Sequence, residues 1–244
     1  MPQKKPQHKE KKMAQKNIVS CSFGKDSLAM LLLLIEKRIP VHEVVFYDTG
    51  KEFDAIYATR DAVLPILTAN GIAYTELKPQ NSMDYDMFER PVNEKGGGVH
   101  YGYSWCGGRC RWGTTKKIAA LKKHCAGCIE FVGIAADETR RITKSARENR
   151  VLPLVEFGMT EADCLAYCYG KGFEWVEHGV RLYEILDRVS CWCCANKNLK
   201  ELRNIYTHLP HYWQRLRNMQ ARTNRPFKGD IGIFELETRF CNEK

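Results

Sequence analysis

Ser22-Phe23-Gly24-Lys25-Asp26-Ser27 places two hydroxyls, a glycine, a cation and a carboxylate within six residues, between a short apolar segment and a Leu-rich run. Such a turn suits an anion. Gly24 permits a sharp bend and close backbone approach, Ser22 and Ser27 offer hydroxyls, and Lys25 offers a charge. A helix starting here directs its N-terminal N–H groups at the guest. The expected guest is a phosphate or sulfate. The spacing is not that of a Walker A loop, which requires G-x-x-x-x-G-K-[ST].

Eleven cysteines form the second group. In a reducing compartment disulfides are disfavoured, which leaves packing, ligation of a metal or cluster, and catalysis as their roles. Cys106 and Cys110 flank Gly-Gly-Arg, and Cys191-Trp192-Cys193-Cys194 precedes a helical pattern. Closely spaced thiolates from two distant loops can together supply four ligands to one centre. Cys125 and Cys128 repeat the C-x-x-C spacing between a helix end and a strand start, and read as packing thiols. Cys21, Cys164 and Cys168 lie on apolar faces and read as core. Histidines 100, 124, 178, 208 and 211 are scattered without ligand spacing.

The elements that must position these groups alternate. "NIVSC", "VHEVVFYD", "IAYTELK" and "CIEFVGIA" read as strands; the run from Asp26 to Arg38, "EFDAIYATRDAVLPILTANG" and "TTKKIAALKKH" read as helices. This alternation predicts parallel βαβ units, hence an α/β fold with a doubly wound, mostly parallel sheet. Residues 79–112 show little periodicity, and a loop of that length inside a compact domain usually carries function. From about residue 160 the pattern is helical, with Thr160 as an N-cap and a break at Pro210. The expected organisation is a disordered basic leader at 1–16, a nucleotide-binding core at 17–158 and a helical C-terminal region with a cysteine motif at 159–244.

At 244 residues, with 44% hydrophobic content, the chain can bury a full core. The net charge is +9, but residues 2–16 hold six lysines against one glutamate, so the body is only mildly basic. "HYWQRLRNMQARTNRPFK" (211–228) alternates arginines with aromatics, as either a nucleic-acid contact or a solvated amphipathic helix does. No run approaches the roughly 18 apolar residues that span a bilayer, and the first residues lack the apolar stretch of a secretory signal. A cytoplasmic protein that does not engage membranes is expected.

"SFGKDS" resembles the PP-loop of the adenine nucleotide alpha-hydrolase superfamily, usually S-G-G-x-D-S, and Phe23 is typical of its phosphoadenosine phosphosulfate (PAPS) reductase branch. Three later segments agree in order: "FYDTGKEF" (46–53) resembles D-T-G-x-E-F, "GIAADETRR" (133–141) resembles G-x-R-x-x-E-S, and "LPLVEFGMTEADCLAYCYGKGF" (152–173) resembles P-L-x-x-W-x-x-x-E. The resemblance implies that Ser20, Ser22, Phe23, Gly24, Lys25, Asp26 and Ser27 surround a nucleotide phosphate. It implies that Asp48, Thr49 and Gly50 lie beside the nucleoside or Mg²⁺, and that Gly133 leaves room for adenine or ribose. Glu138, Arg140 and Arg141 would close the polyphosphate end, arginine being suited to bidentate oxyanion contacts.

"SCWCCANKNLKELR" resembles a segment of cluster-bearing or zinc-bearing relatives. It implies a [4Fe-4S] cluster on Cys106, Cys110, Cys191 and Cys194, with zinc or metal-free thiols as alternatives and Cys193 able to replace a neighbour. The chain departs from the branch at Ala135, at Arg111-Trp112-Gly113-Thr114, where R-W-C-T is frequent, and at its end. Sulfonucleotide reductases carry E-C-G-x-H there, whereas this chain reads "TRFCNEK", leaving Cys241 as the candidate nucleophile. The resemblance thus implies an enzyme acting on ATP with Mg²⁺ as a pyrophosphatase that adenylates an acceptor in sulfur transfer, with Lys25 and Asp48 catalytic. The alternatives are a reductase of PAPS or adenosine phosphosulfate (APS) that releases sulfite, and a non-catalytic nucleotide-binding module. Expected partners are a nucleic-acid sulfur acceptor, thioredoxin or a sulfur-donor protein, and a second copy of the chain.

Overall fold

The structure is a computed structural model that describes residues 15–145 and 147–243. Apart from Gln15 and Lys16, the expected leader lies outside the described residues. Five strands form one parallel sheet: β1 (Asn17–Ser20), β2 (Glu43–Tyr47), β3 (Ala73–Leu77), β6 (Ile129–Val132) and β7 (Arg150–Val151), in the order β3-β2-β1-β6-β7. Two short strands, β4 (Pro91–Asn93) and β5 (Val99–Tyr101), make a separate hairpin within the stretch that lacked periodicity. β7 has only two residues, too few to leave a period, which is why the sequence pattern shows four strands of this sheet and not five.

The side-chain alternation of β1 and β2 sends residues to both faces. Val19, Val44 and Phe46 join the main core with Leu28, Leu31 and Leu34 of α1 (Lys25–Glu36), while Ile18 and Val45 meet Cys125 on the opposite face, with Leu77, Leu121 and Cys128 around them. Burial on both faces is what a parallel sheet requires, and helices supply it on each side. α2 (Asp54–Ala69) packs on β3, α3 (Lys117–His124) packs on β2, the short α4 (Thr139–Ser145) precedes β7 in the chain, and α5 (Pro153–Glu156) follows it and packs on α1. α6 (Glu161–Gly170) lies along α1. Thr160 and Asp163 form a reciprocal capping box at its start, as the spacing predicts.

A second antiparallel hairpin, β8 (Val176–Glu177) with β9 (Val180–Arg181), leads into α7 (Leu182–Ile185) and then α8 (Leu199–His208), α9 (Pro210–Gln220) and α10 (Ile233–Asn242). Pro210 opens α9 at its first position, so the proline break falls between two helices. Tyr212, Trp213 and Phe227 are buried, so 211–228 is an amphipathic element whose aromatics belong to the core. That core is continuous from Val19 to Phe240. No helix among the described residues is long and apolar enough to cross a membrane.

The strand order fixes where a ligand can enter. From β1 the chain winds one way to β2 and β3, then returns to place β6 on the other side of β1. The loops leaving β1 and β6 therefore diverge and open a crevice at the carboxyl edge.

Candidate functional site

A cavity of about 260 Å³ occupies that crevice. The β1 loop contributes Ser22, Gly24, Lys25, Asp26 and Ser27, the β2 loop Thr49 and Glu52, and the β6 side Gly133 and Arg141. Glu161 and the segment from Tyr183 to Cys191 close it. Phe23 takes a left-handed backbone, φ 57°, at a position where the superfamily usually has glycine. That conformation costs about 1–2 kcal/mol in an L-residue. It is held because the ring is fully buried edge-on against Phe46, at 5.3 Å between centroids, and the Trp175 indole N–H donates to the Phe23 carbonyl at 2.8 Å. Phe23 thus shapes the loop from beneath without lining the cavity.

Gly24 has no side chain to cap α1, so its first-turn N–H groups are not taken by the N-cap residue. Ser27 Oγ accepts from the Ser22 N–H and donates to the Gly24 carbonyl, each at 3.1 Å. Lys25 is 7% exposed; its Nζ bonds Asp26 at 2.7 Å and lies 3.7 Å from Glu161. Burial raises the pKa of Asp26 and Glu161, with Lys25 opposing the shift in both. Glu138 behaves differently. Burial disfavours its charge, but Arg141, at 2.5 Å, and Arg188, at 3.0 Å, outweigh burial and hold it below its usual range. Asp26, Glu138 and Glu161 bring carboxylate oxygens within 4.8 Å of one another.

Gly133 acts through close packing. A Cβ there would stand 2.7 Å from Ser27 Cα and 2.9 Å from its nitrogen, so the bare α-carbon admits the backbone of α1 while Gly133 also lines the cavity. Gly133→Ala is expected to destabilise the fold by about 1–3 kcal/mol, the usual cost of overpacking. Thermal denaturation followed by circular dichroism checks it; an unchanged midpoint would mean that the β6 loop yields freely.

The remaining expected residues stand outside the lining. Ser20 Oγ is turned onto Glu130 at 2.9 Å, away from the phosphate loop where the resemblance put it, because it lies inside β1 beside β6. Asp48 Oδ1 accepts from the Gly50 N–H and the Tyr57 hydroxyl, both at 2.7 Å, closing the turn after β2. Gly50 serves that turn at φ 72°. Arg140 is exposed beside Arg141, and Cys241 is exposed on α10, its Sγ 2.9 Å from the Tyr206 hydroxyl. Glu52, Lys117, Glu161, Tyr183, Asp187, Arg188 and Ser190 line the cavity without having been singled out in the sequence. Glu161 and Tyr183 fall in helical segments whose apolar pattern masks polar residues at their ends.

A second cavity, of about 130 Å³, is lined by Cys106, Cys110, Cys191, Cys193 and Cys194 together with Met83, Trp105 and Trp112. It adjoins the first. Gly113, Ser190 and Cys191 line both. Two distant loops are clasped to build it. Asn196 accepts from the Gly108 N–H at 2.8 Å and donates to the Gly108 carbonyl at 2.7 Å. Asp86, fully buried, receives Arg90, the Trp112 indole and Lys116, which anchors the loop carrying Cys106 and Cys110. The Trp192 N–H donates to the Lys51 carbonyl at 3.0 Å, and Cys191 Sγ lies 3.4 Å from Thr49 Oγ1, which ties the second cysteine loop to the end of β2.

The donor set fits a thiolate-bound metal centre, a cluster or zinc. All these cysteines are free thiols, and Trp105, which lines this cavity, keeps a buried indole N–H with no partner in the protein. Burial raises the pKa of Cys110, of Cys191 and, to about 12, of Cys193. Cys125 packs beneath the sheet with Ile18 and Val45, and Cys21, Cys164 and Cys168 are core residues.

A solved structure, the U34-tRNA thiolase NcsA from Methanococcus maripaludis with its [4Fe-4S] cluster, aligns at TM-score 0.44 and 15% identity, over 94% of this chain and 72% of that one. An uncharacterized protein of Methanocaldococcus jannaschii is 26% identical over 219 residues, 83% of this chain and 41% of that protein. The chain thus spans about two fifths of that relative's length. The phosphoadenosine phosphosulfate reductase domain matches residues 16–169, from β1 to the end of α6, which takes in the phosphate loop, Cys106 and Cys110 and stops short of Cys191. This match covers well over half of the chain, which belongs to the phosphoadenosine phosphosulfate reductase domain family.

Proposed function

We propose that the protein is an adenylating enzyme of sulfur transfer. ATP with Mg²⁺ binds with its phosphates against Ser22–Ser27, the α–β bond is cleaved, and AMP passes to an acceptor oxygen while pyrophosphate leaves. Sulfur then displaces AMP at the activated carbon, and the acceptor oxygen departs with the phosphate. Lys25, Arg141 and Arg188 offer charge to the leaving pyrophosphate. A cluster on Cys106, Cys110, Cys191 and Cys194 would bind and present the sulfur. One observation carries this reading: Cys191, Ser190 and Gly113 belong to the walls of both cavities, so a thiolate centre and a phosphate site share a boundary. The acceptor, a nucleic acid in this reading, and a sulfur-donor protein are the partners.

Incubation with ATP and Mg²⁺ should release AMP and pyrophosphate, measured by chromatography. PAPS with reduced thioredoxin should release no sulfite. Sulfite that disappears with Cys241→Ser would replace this reading by the reductase, and inertness towards both nucleotides would leave a binding module.

A further inference from the structure

The backbone N–H of Lys25, the first of α1, donates to the Tyr183 hydroxyl at 2.8 Å. This is one of the donors that a phosphate at the head of α1 requires. Tyr183 belongs to α7, far along the chain, and its hydroxyl stands 3.0 Å from where a Cβ on Gly24 would be. Two further contacts fix it. Its ring meets Trp175 edge-on at 4.9 Å, and Trp175 in turn holds the Phe23 carbonyl. Lys25 Nζ lies 5.9 Å from the centre of the Tyr183 ring. The phenol therefore occupies the mouth of the phosphate loop and takes a bond that the loop would offer a ligand.

We infer that Tyr183 is a positioning residue that stands in for a phosphate oxygen, and that a polyphosphate must displace its hydroxyl from the Lys25 N–H to seat fully. The consequence extends beyond the loop. Asp187, Arg188, Val189, Ser190 and Cys191 follow Tyr183 along the cavity wall. Release of the phenol frees the start of the segment that ends at the shared cysteine. This inference rests on the nucleotide reading and adds a competitor built into the chain.

Tyr183→Phe keeps the ring and its packing on Trp175 but removes the acceptor, so the Lys25 N–H stands free before the ligand arrives. Titration calorimetry with pyrophosphate and with ATP and Mg²⁺ should show binding about fivefold tighter than wild type, the size of one ordinary hydrogen bond exchanged. Equal or weaker binding by the variant overturns the inference and leaves the nucleotide reading intact. No binding of either ligand by either protein overturns both. In the wild-type protein, pyrophosphate should speed amide hydrogen exchange over 182–186, and slower exchange there would also overturn the inference.

Discussion

Cys191→Ser is expected to leave a folded protein that still cleaves ATP but has lost its iron and its sulfur transfer. Serine is nearly the same size as cysteine, and the backbone bonds of this loop, Trp192 N–H to Lys51 and Cys194 N–H to the Cys191 carbonyl, do not involve the thiol. What disappears is a soft donor in a cavity that four other cysteines, two tryptophans and a methionine help to line. Even partners outside the ligand shell of metal sites are worth 10- to 100-fold in affinity or activity, so loss of a ligand should lower sulfur transfer by more than about 100-fold. Anaerobically purified wild-type protein should be brown, with broad visible absorbance and bound iron, and the variant should have neither. Cys125→Ser, on the far side of the sheet, should keep both. A variant that retains its iron, or a colourless wild-type protein with stoichiometric zinc, would remove the cluster from the proposal. Full loss of AMP release would show that the two cavities cannot work separately.

How much of this was legible beforehand follows from the range of each interaction. The βαβ order, the turn between β1 and α1 and the proline break between α8 and α9 rest on local patterns, and each is visible in a few adjacent residues. The cysteine cavity was half legible: its residues announce themselves by type, but the clasp of Asn196 on Gly108 that joins the loops spans 88 positions. Ser20 looked like a phosphate ligand because it adjoins the loop. One residue's difference places it inside the strand, where the pleat turns it to Glu130. The resemblance implies that Gly133 leaves room for adenine or ribose; the contact its missing Cβ permits is with the α1 backbone, which lies far away in sequence. Tyr183 was invisible because nothing in "VRLYEIL" shows that its hydroxyl reaches a helix start 158 residues away.

Lys25→Met should be as severe for nucleotide chemistry as Cys191→Ser is for sulfur. The charged groups lining the phosphate cavity are Lys25, Lys117, Arg141 and Arg188 against Asp26, Glu52, Glu161 and Asp187, four of each sign. Burial raises the pKa of Asp26, Glu52 and Glu161, so it disfavours the charged form of each of these carboxyls. Removing Lys25 takes away the cation nearest the loop and leaves Asp26 and Glu161 facing the incoming phosphates. Loss of one group that stabilises transition-state charge costs about 100- to 1000-fold in turnover. The fall should appear in kcat for AMP release as well as in KM, because the charge on the leaving pyrophosphate grows as the α–β bond breaks. A rise in KM with unchanged kcat would assign Lys25 to binding alone. The pH dependence has a definite sign. Lys25 lowers the pKa of both Asp26 and Glu161 in the wild type, so without it both carboxyls protonate more readily as pH falls, and their repulsion of phosphate fades. The binding defect of Lys25→Met, measured with pyrophosphate, should therefore shrink as pH falls; a defect that stays constant or grows would mean that these carboxylates do not face the bound phosphates.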